Sequence, residues 1–501
     1  MRSRAERLTE SLERVQRQRA EASLLWLRRA RLDRDWLPDA RALLTDEGAE
    51  QLADAHRERV WSPAETAAFA AQRAELAFAV ELASGTPYAT KLALEPYVLP
   101  FGREGAVALV DGLTSDGDLE GREHRARALA EAAAELAPRL IDLRMRALAA
   151  HESVLASSLP ESPAAPEPIP GLPLPVAAPS QPASAAEAPA PADLARKLLD
   201  DTDDATRELT RWLVRGVAPS GTISWHLLLR ALRAPELDGL AKDARRLARV
   251  ASGLRGLGFE RDLNARVRAE AADGSLDPRT RVIALSVPSD IRVAQSKLTF
   301  GVMSDAYAAH GVGQALALAL ISPALPNLLR RSPLPGVADA LGMTSMQLRA
   351  DPEYLRRIEG LEPLWVERLA RHTGVICLLE ARLQAALCLT AGPARSRSEW
   401  SQQLTAALER ALHVALPEGL AALLAWAVPP GSGAFEACLA GLASHVALRD
   451  RYDVDWFRNP RVSEVVRGAA ARGGTFTPAG LLEELGVSPI AASPRLIELI
   501  E

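Results

Sequence analysis

Between Ala156 and Asp193 the chain reads ASSLPESPAAPEPIPGLPLPVAAPSQPASAAEAPAPAD. Proline fixes φ and removes a backbone donor, and alanine and serine leave such a segment little to bury. No packed element is expected from it, so the fold should be built on either side. The stretch is expected to be a disordered or semi-extended tether. It divides the 501 residues into an N-terminal helical lobe over 1–155, the linker over 156–193 and a larger helical domain over 194–501.

Composition narrows the class further. A hydrophobic fraction of 48% and a charged fraction of 25% are ordinary for a globular chain and exclude wholesale disorder. The net charge of -5 lacks the basic excess of a nucleic-acid binder. Aromatic residues make up only 4%, so the core must be built from Ala, Leu and Val. The N-terminus, MRSRAERLTESLERV, has no apolar segment of the kind a signal peptide needs. The longest apolar run, Gly311 to Leu329, is broken by Gln314, Ser322, Pro323, Pro326 and Asn327, and is not expected to span a membrane. Cys377, Cys388 and Cys438 are too few and too odd for a disulfide framework and are expected to be reduced core thiols. A cytoplasmic protein of bacterial type is expected, with neither nucleic acid nor membrane as partner.

Helical spacing dominates both flanks. Leu8, Leu12 and Val15 recur on one face, and Ala64 to Ala83 follows the start signal Ser62-Pro63. Glu120 to Leu155 predicts a long helix with Pro138 as an interruption. After the linker one segment departs from this pattern. Arg281 to Leu298, RVIALSVPSDIRVAQSKL, alternates and is rich in Val and Ile, which predicts two short strands around a Pro288-Ser289-Asp290 turn. A helix from about Ser304 to Leu320, a proline-rich loop from Ser322 to Pro335 and further helices follow. The expected fold class is mostly α, with one small β-sheet beside an apolar helix.

That helix carries His310-Gly311-Val312-Gly313-Gln314-Ala315-Leu316. The chemical template for comparison is H-E-x-x-H, whose two histidines share one helix face and one Zn²⁺ while the Glu acts as general base. The stretch HGVGQALA resembles the oligopeptidase-type zincins, the thimet oligopeptidase and carboxypeptidase Taq relatives, whose core reads HE-(Ile/Leu)-GHALH. Gly313, Ala315 and Leu316 keep that register. VPSDIRVAQS (Val287 to Ser296) resembles the strand hairpin before the metal helix, and Gly253 to Gly274 the region leading into it. VADALG (Val337 to Gly342) resembles the helix that delivers the third ligand, and Arg451 to Gly474 a C-terminal signature of one bacterial branch. The likeness covers roughly residues 200 to 490 and implies a multi-helical zincin-like metallopeptidase fold.

Carried over position by position, the resemblance implies a damaged site. The first metal histidine corresponds to His310. The catalytic glutamate falls on Gly311, the second histidine on Gln314, and the third-ligand glutamate on Asp339. General-base assistance is worth typically ~10²–10⁴-fold and is lost with the glutamate. No other histidine supplies a partner at i, i+4: His56, His124, His151, His226, His372, His413 and His445 stand singly. Tyr452, in Arg451–Asp455, is a candidate cleft residue, since the resembled family often places a tyrosine near the reacting carbonyl.

The leading expectation is therefore a pseudopeptidase with no cofactor, its zinc lost and no catalytic residue retained, that binds or scaffolds a peptide or protein partner. A second is an oligopeptidase with a rebuilt weak metal site at His310 and Asp339. A third is a helical interaction protein unrelated to peptidases. The N-terminal helices are expected to pack against the C-terminal part despite the tether. Limited proteolysis within Ala156–Asp193 should then give two fragments that co-elute on size exclusion. Fragments that separate would show independent domains.

Overall fold

The structure, a computed structural model, describes residues 4–29, 35–45, 61–83, 97–100, 102–104, 106–115, 117–158, 189–215, 223–241, 246–272, 279–296, 301–331, 336–392, 396–425, 428, 431–489 and 497. Before the proline-rich stretch lie helices α1 (Arg4–Arg29) and α2 (Pro63–Ala83), a hairpin of β1 (Tyr97–Leu99) and β2 (Gly102–Glu104), and the long α3 (Leu119–Ser158). After it come α4 (Pro191–Asp201), the strands β3 (Val267–Ala272), β4 (Arg281–Ser286) and β5 (Asp290–Ser296), and α5 (Val302–Leu320). The helices α6 (Val337–Leu348), α7 (Pro363–Leu389), α8 (Arg397–Leu412) and α9 (Gly433–Tyr452) complete the main body, with shorter helices between them.

The helices form where spacing and caps direct them. Leu8, Leu12 and Val15 are buried along α1. At the start of α2 the Glu65 amide donates to Ser62 Oγ (3.2 Å) and the Ser62 amide to Glu65 Oε2 (2.9 Å), a reciprocal cap. The expected interruption at Pro138 does not occur, and α3 runs through it. A proline there forfeits one backbone hydrogen bond. Burial of Leu136, Ala137, Leu140 and Ile141 around it offsets that loss. Helix also enters both ends of the expected linker, through Ser158 and from Pro191; residues 159–188 of it lie outside those described. The expected loop from Ser322 to Pro335 contains a short helix, Asn327–Arg330, and its residues 332–335 are likewise outside the description.

The two expected strands are β4 and β5, paired antiparallel with Val282 opposite Val293. A third, β3, runs parallel to β5 with Val267 opposite Ile291, so the order is β3-β5-β4. Its sequence, VRAEAA, has little strand character. The second edge of β5 makes it a strand, which is why the pattern alone does not show it. One face of the sheet, with Ile291 and Val293, packs with Ala315 of α5. The other, with Ile283 and Ala294, packs with Leu24 of α1.

Segments on both sides of the proline-rich stretch join one main core, to which Leu109, Leu113 and Ile141 contribute beside Leu198, Leu316 and Leu379. Polar side chains fasten them as well. Arg144 of α3, 2% exposed, donates to the carbonyls of Ala425 (2.8 Å) and Val428 (2.6 Å). Gln72 of α2 donates to the Leu328 carbonyl (2.7 Å). α7 is long and apolar enough to cross a membrane by composition, but most of it is buried in this core and it carries Glu380 and Arg382.

Within the segment after the proline-rich stretch, Arg382 ties three helices together. Its fully buried guanidinium donates to the carbonyls of Leu199 (2.9 Å), Arg410 (2.8 Å) and Ala411 (2.9 Å), to Thr202 Oγ1 (2.6 Å) and to Asp203 (3.1 Å). It thereby joins the end of α4 to α7 and α8. Arg382→Met removes every donor and leaves the acceptors in place, so it should cost about 3 kcal/mol. Urea unfolding followed by circular dichroism measures that loss.

Candidate functional site

α5 is almost wholly buried, as its run of Ala, Gly, Val and Leu requires. Only Tyr307, His310, Gln314 and Leu318 are partly open, and that spacing places them on one face. Asp339 of α6 and Glu380, Leu383 and Gln384 of α7 are partly open too. A polar floor results, with α5 at its centre.

Two hydrogen-bonded groups make up this floor. In the first, Gln314 Nε2 donates to Asp339 Oδ1 (2.8 Å), and the Gly336 amide donates to Asp339 Oδ2 (3.0 Å) as α6 begins. In the second, Glu380 accepts from the Tyr307 hydroxyl (2.8 Å), from Gln384 Nε2 (2.7 Å) and from Arg279 Nη2 (3.2 Å). The Arg279 guanidinium also lies over the Tyr307 ring, 5.8 Å from its centre. His310 stands between the groups with its ring against Gly342, where a Cβ would lie 3.1 Å from both Cε1 and Nε2.

The electrostatics follow from burial. Burial holds the His310 imidazole below its ordinary pKa, and the charges of Asp339 and Glu380 oppose that shift. Burial pushes Asp339 up, against the pull of His310 and the backbone amides. Burial would raise Glu380 as well, but Arg279, with hydrogen bonds from Gln384 and Tyr307, holds it below the usual carboxylate range. Glu380 is thus an ionised acid held by three donors.

The structure brings His310, Gln314 and Asp339 onto this floor. Tyr452 closes α9 with its ring beneath the Arg451 guanidinium (5.4 Å) and takes no part in either hydrogen-bonded group. Gly311 faces the sheet. A Cβ there would stand 2.5 Å from Thr280 Cγ2 and 2.9 Å from Thr280 Cβ, so a glutamate has no room. Arg279, Thr280, Tyr307, Glu380 and Gln384 were not anticipated from the sequence. Glu380 had a signal: it is the one acid in the apolar run Ile376 to Leu389.

A catalytic zinc takes three protein ligands that present lone pairs, with water in the fourth place. Here there is one imidazole, and a carboxylate whose two oxygens already accept hydrogen bonds. Gln314 turns its NH₂ group, a donor, toward that carboxylate. Among the described residues no three His, Cys, Asp or Glu side chains are grouped to hold a metal ion. The donor set does not fit a catalytic zinc.

No family model matches the sequence, and no curated protein matches it. Solved structures do match. PZ peptidase A, solved with an inhibitor, aligns over 100% of this chain and 98% of its own, with a TM-score of 0.62 and 12% identity. An oligoendopeptidase F structure aligns over 93% and 82% with a TM-score of 0.59 and 12% identity. A second, from Bacillus anthracis str. Ames, covers 93% and 85% at a TM-score of 0.57 and 12% identity. The sheet beside the His310 helix and these likenesses match the expected mostly α fold with one small sheet. The chain has the mostly α-helical, zincin-like fold of the oligopeptidase-type metallopeptidases.

Proposed function

We propose that the chain is a non-hydrolytic protein with this metallopeptidase fold, which binds or scaffolds a peptide or protein partner without cutting it. The Gln314–Asp339 hydrogen bond carries the reading. Two positions that would have to present lone pairs to one metal are instead bonded to each other, donor to acceptor. Gly311 adds that no side chain stands where the resembled family carries its general base, a group worth about 10²–10⁴ in rate. A weak metal site at His310 and Asp339 would have one imidazole and one carboxylate already engaged with Gln314 and Gly336, one protein ligand short of a catalytic zinc.

The binding half of the proposal rests on the fold and on the floor. The PZ peptidase A structure was solved with an inhibitor, so a ligand is held by at least one protein of this shape. In this chain the partly open stripe from Tyr307 to Leu318 is the surface offered to a peptide or to a segment of a partner. Purified protein should contain sub-stoichiometric zinc and leave a fluorogenic peptide series uncut, with or without chelator. Labelled peptides of the same series should gain anisotropy on adding protein. About one zinc per chain together with chelator-sensitive cleavage would sink the reading.

A further inference from the structure

We infer that the metal centre of this fold has been rebuilt here as a metal-free latch, in which the Gln314–Asp339 hydrogen bond joins α5 to α6 and Thr280 fills the place of the missing glutamate. The inference rests on the non-hydrolytic reading above and specifies what became of the site.

The first part follows from the bonding. A metal shared by two helices is a cross-link between them, and its loss would leave a carboxylate half-buried at their junction. Asp339 projects from the first turn of α6 and Gln314 from the middle of α5, and their 2.8 Å hydrogen bond spans that junction. Both Asp339 oxygens act as acceptors, so the amide must turn its NH₂ group inward. A histidine at 314 could either bind metal or donate to Asp339. Glutamine favours the second option, because its NH₂ is always a donor and its carbonyl oxygen is a poorer zinc ligand than an imidazole.

The second part follows from the space at Gly311. The atoms that a Cβ would meet are Thr280 Cγ2 and Thr280 Cβ. Rotating the threonine moves the methyl group but not its Cβ, so relief requires a shift of the backbone. That backbone is held: the adjacent Arg279 reaches across to Glu380 of α7, itself bonded to Tyr307 of α5. The segment entering β4 is thus clamped over the helix at the position where the glutamate would stand. At the far end of the same strand, Arg331 Nη2 donates to the Ala284 carbonyl (2.8 Å), so β4 is pinned there as well.

Thermal unfolding of the full chain tests both parts. A double-mutant cycle of Gln314→Ala and Asp339→Ala should show each single change lowering the midpoint and the pair lowering it by less than the sum. Neither chelator nor added zinc should move the wild-type midpoint. Gly311→Ala should lower the midpoint, although alanine is favoured over glycine inside a helix. Gly311→Ala with Thr280→Gly should recover most of that loss relative to Thr280→Gly alone. Additive single effects, or a Gly311→Ala midpoint at or above wild type with Thr280 in place, would overturn the latch. Stoichiometric zinc without peptide cleavage would overturn the latch and leave the non-hydrolytic reading standing. Cleavage by the wild type would instead remove that reading itself.

Discussion

The close approach of α5, α6 and α9 is the constraint on which the rest of the molecule depends. Helix axes pack nearer than usual only where side chains are missing from the contact. Here a Cβ at Gly313 would meet Ser345 Oγ at 2.2 Å, one at Gly342 the His310 carbonyl at 2.9 Å, and one at Gly441 the Ala340 carbonyl at 2.3 Å. Thr344 Oγ1 donates to the Gly441 carbonyl (3.0 Å) and fixes the register of α6 on α9. A chain with few aromatic residues gains from this arrangement. Small side chains let backbones fill the core that large rings would otherwise fill, at the density that interiors require.

Charge anchors the same unit at the start of α5. Asp305, 2% exposed, meets the guanidiniums of Arg246 (3.2 Å), Arg349 (2.6 Å) and Arg249, and Arg349 also pairs with Glu359. A buried carboxylate is tolerable only with such compensation. Further along α5, Tyr307, His310, Gln314 and Leu318 are its partly open residues. The fold thus spends its rigidity beneath the floor and keeps polar groups on it.

Much of the fold was legible in local patterns. The helical spacing of Leu8, Leu12 and Val15, the Ser62-Pro63 start and the Arg281 to Ser296 alternation each correspond to an element. These signals are local, and local hydrogen bonds and periodic burial are enough to produce them. β3 was not legible, since its strand character is borrowed from β5. The passage of α3 through Pro138 was not legible either, since the compensation comes from neighbours distant in sequence. At the site, the residues around His310 singled out α5, and the structure places His310 and Gln314 on its partly open face. The motif could not show Thr280 or Arg279, because neither belongs to it.

What the residues determined by themselves is chemical identity: an imidazole at 310, no side chain at 311, an amide at 314 and a carboxylate at 339. Those identities already limit which lone pairs the helix can offer. Only the tertiary structure decided how they are used. It aimed the Gln314 amide at Asp339, set Thr280 against Gly311 and gave Glu380 its three donors. Hydrogen bonds and excluded volume act over a few ångströms of space, and apart from Gln384, one turn from Glu380, the chain brings those partners together from segments tens of residues apart.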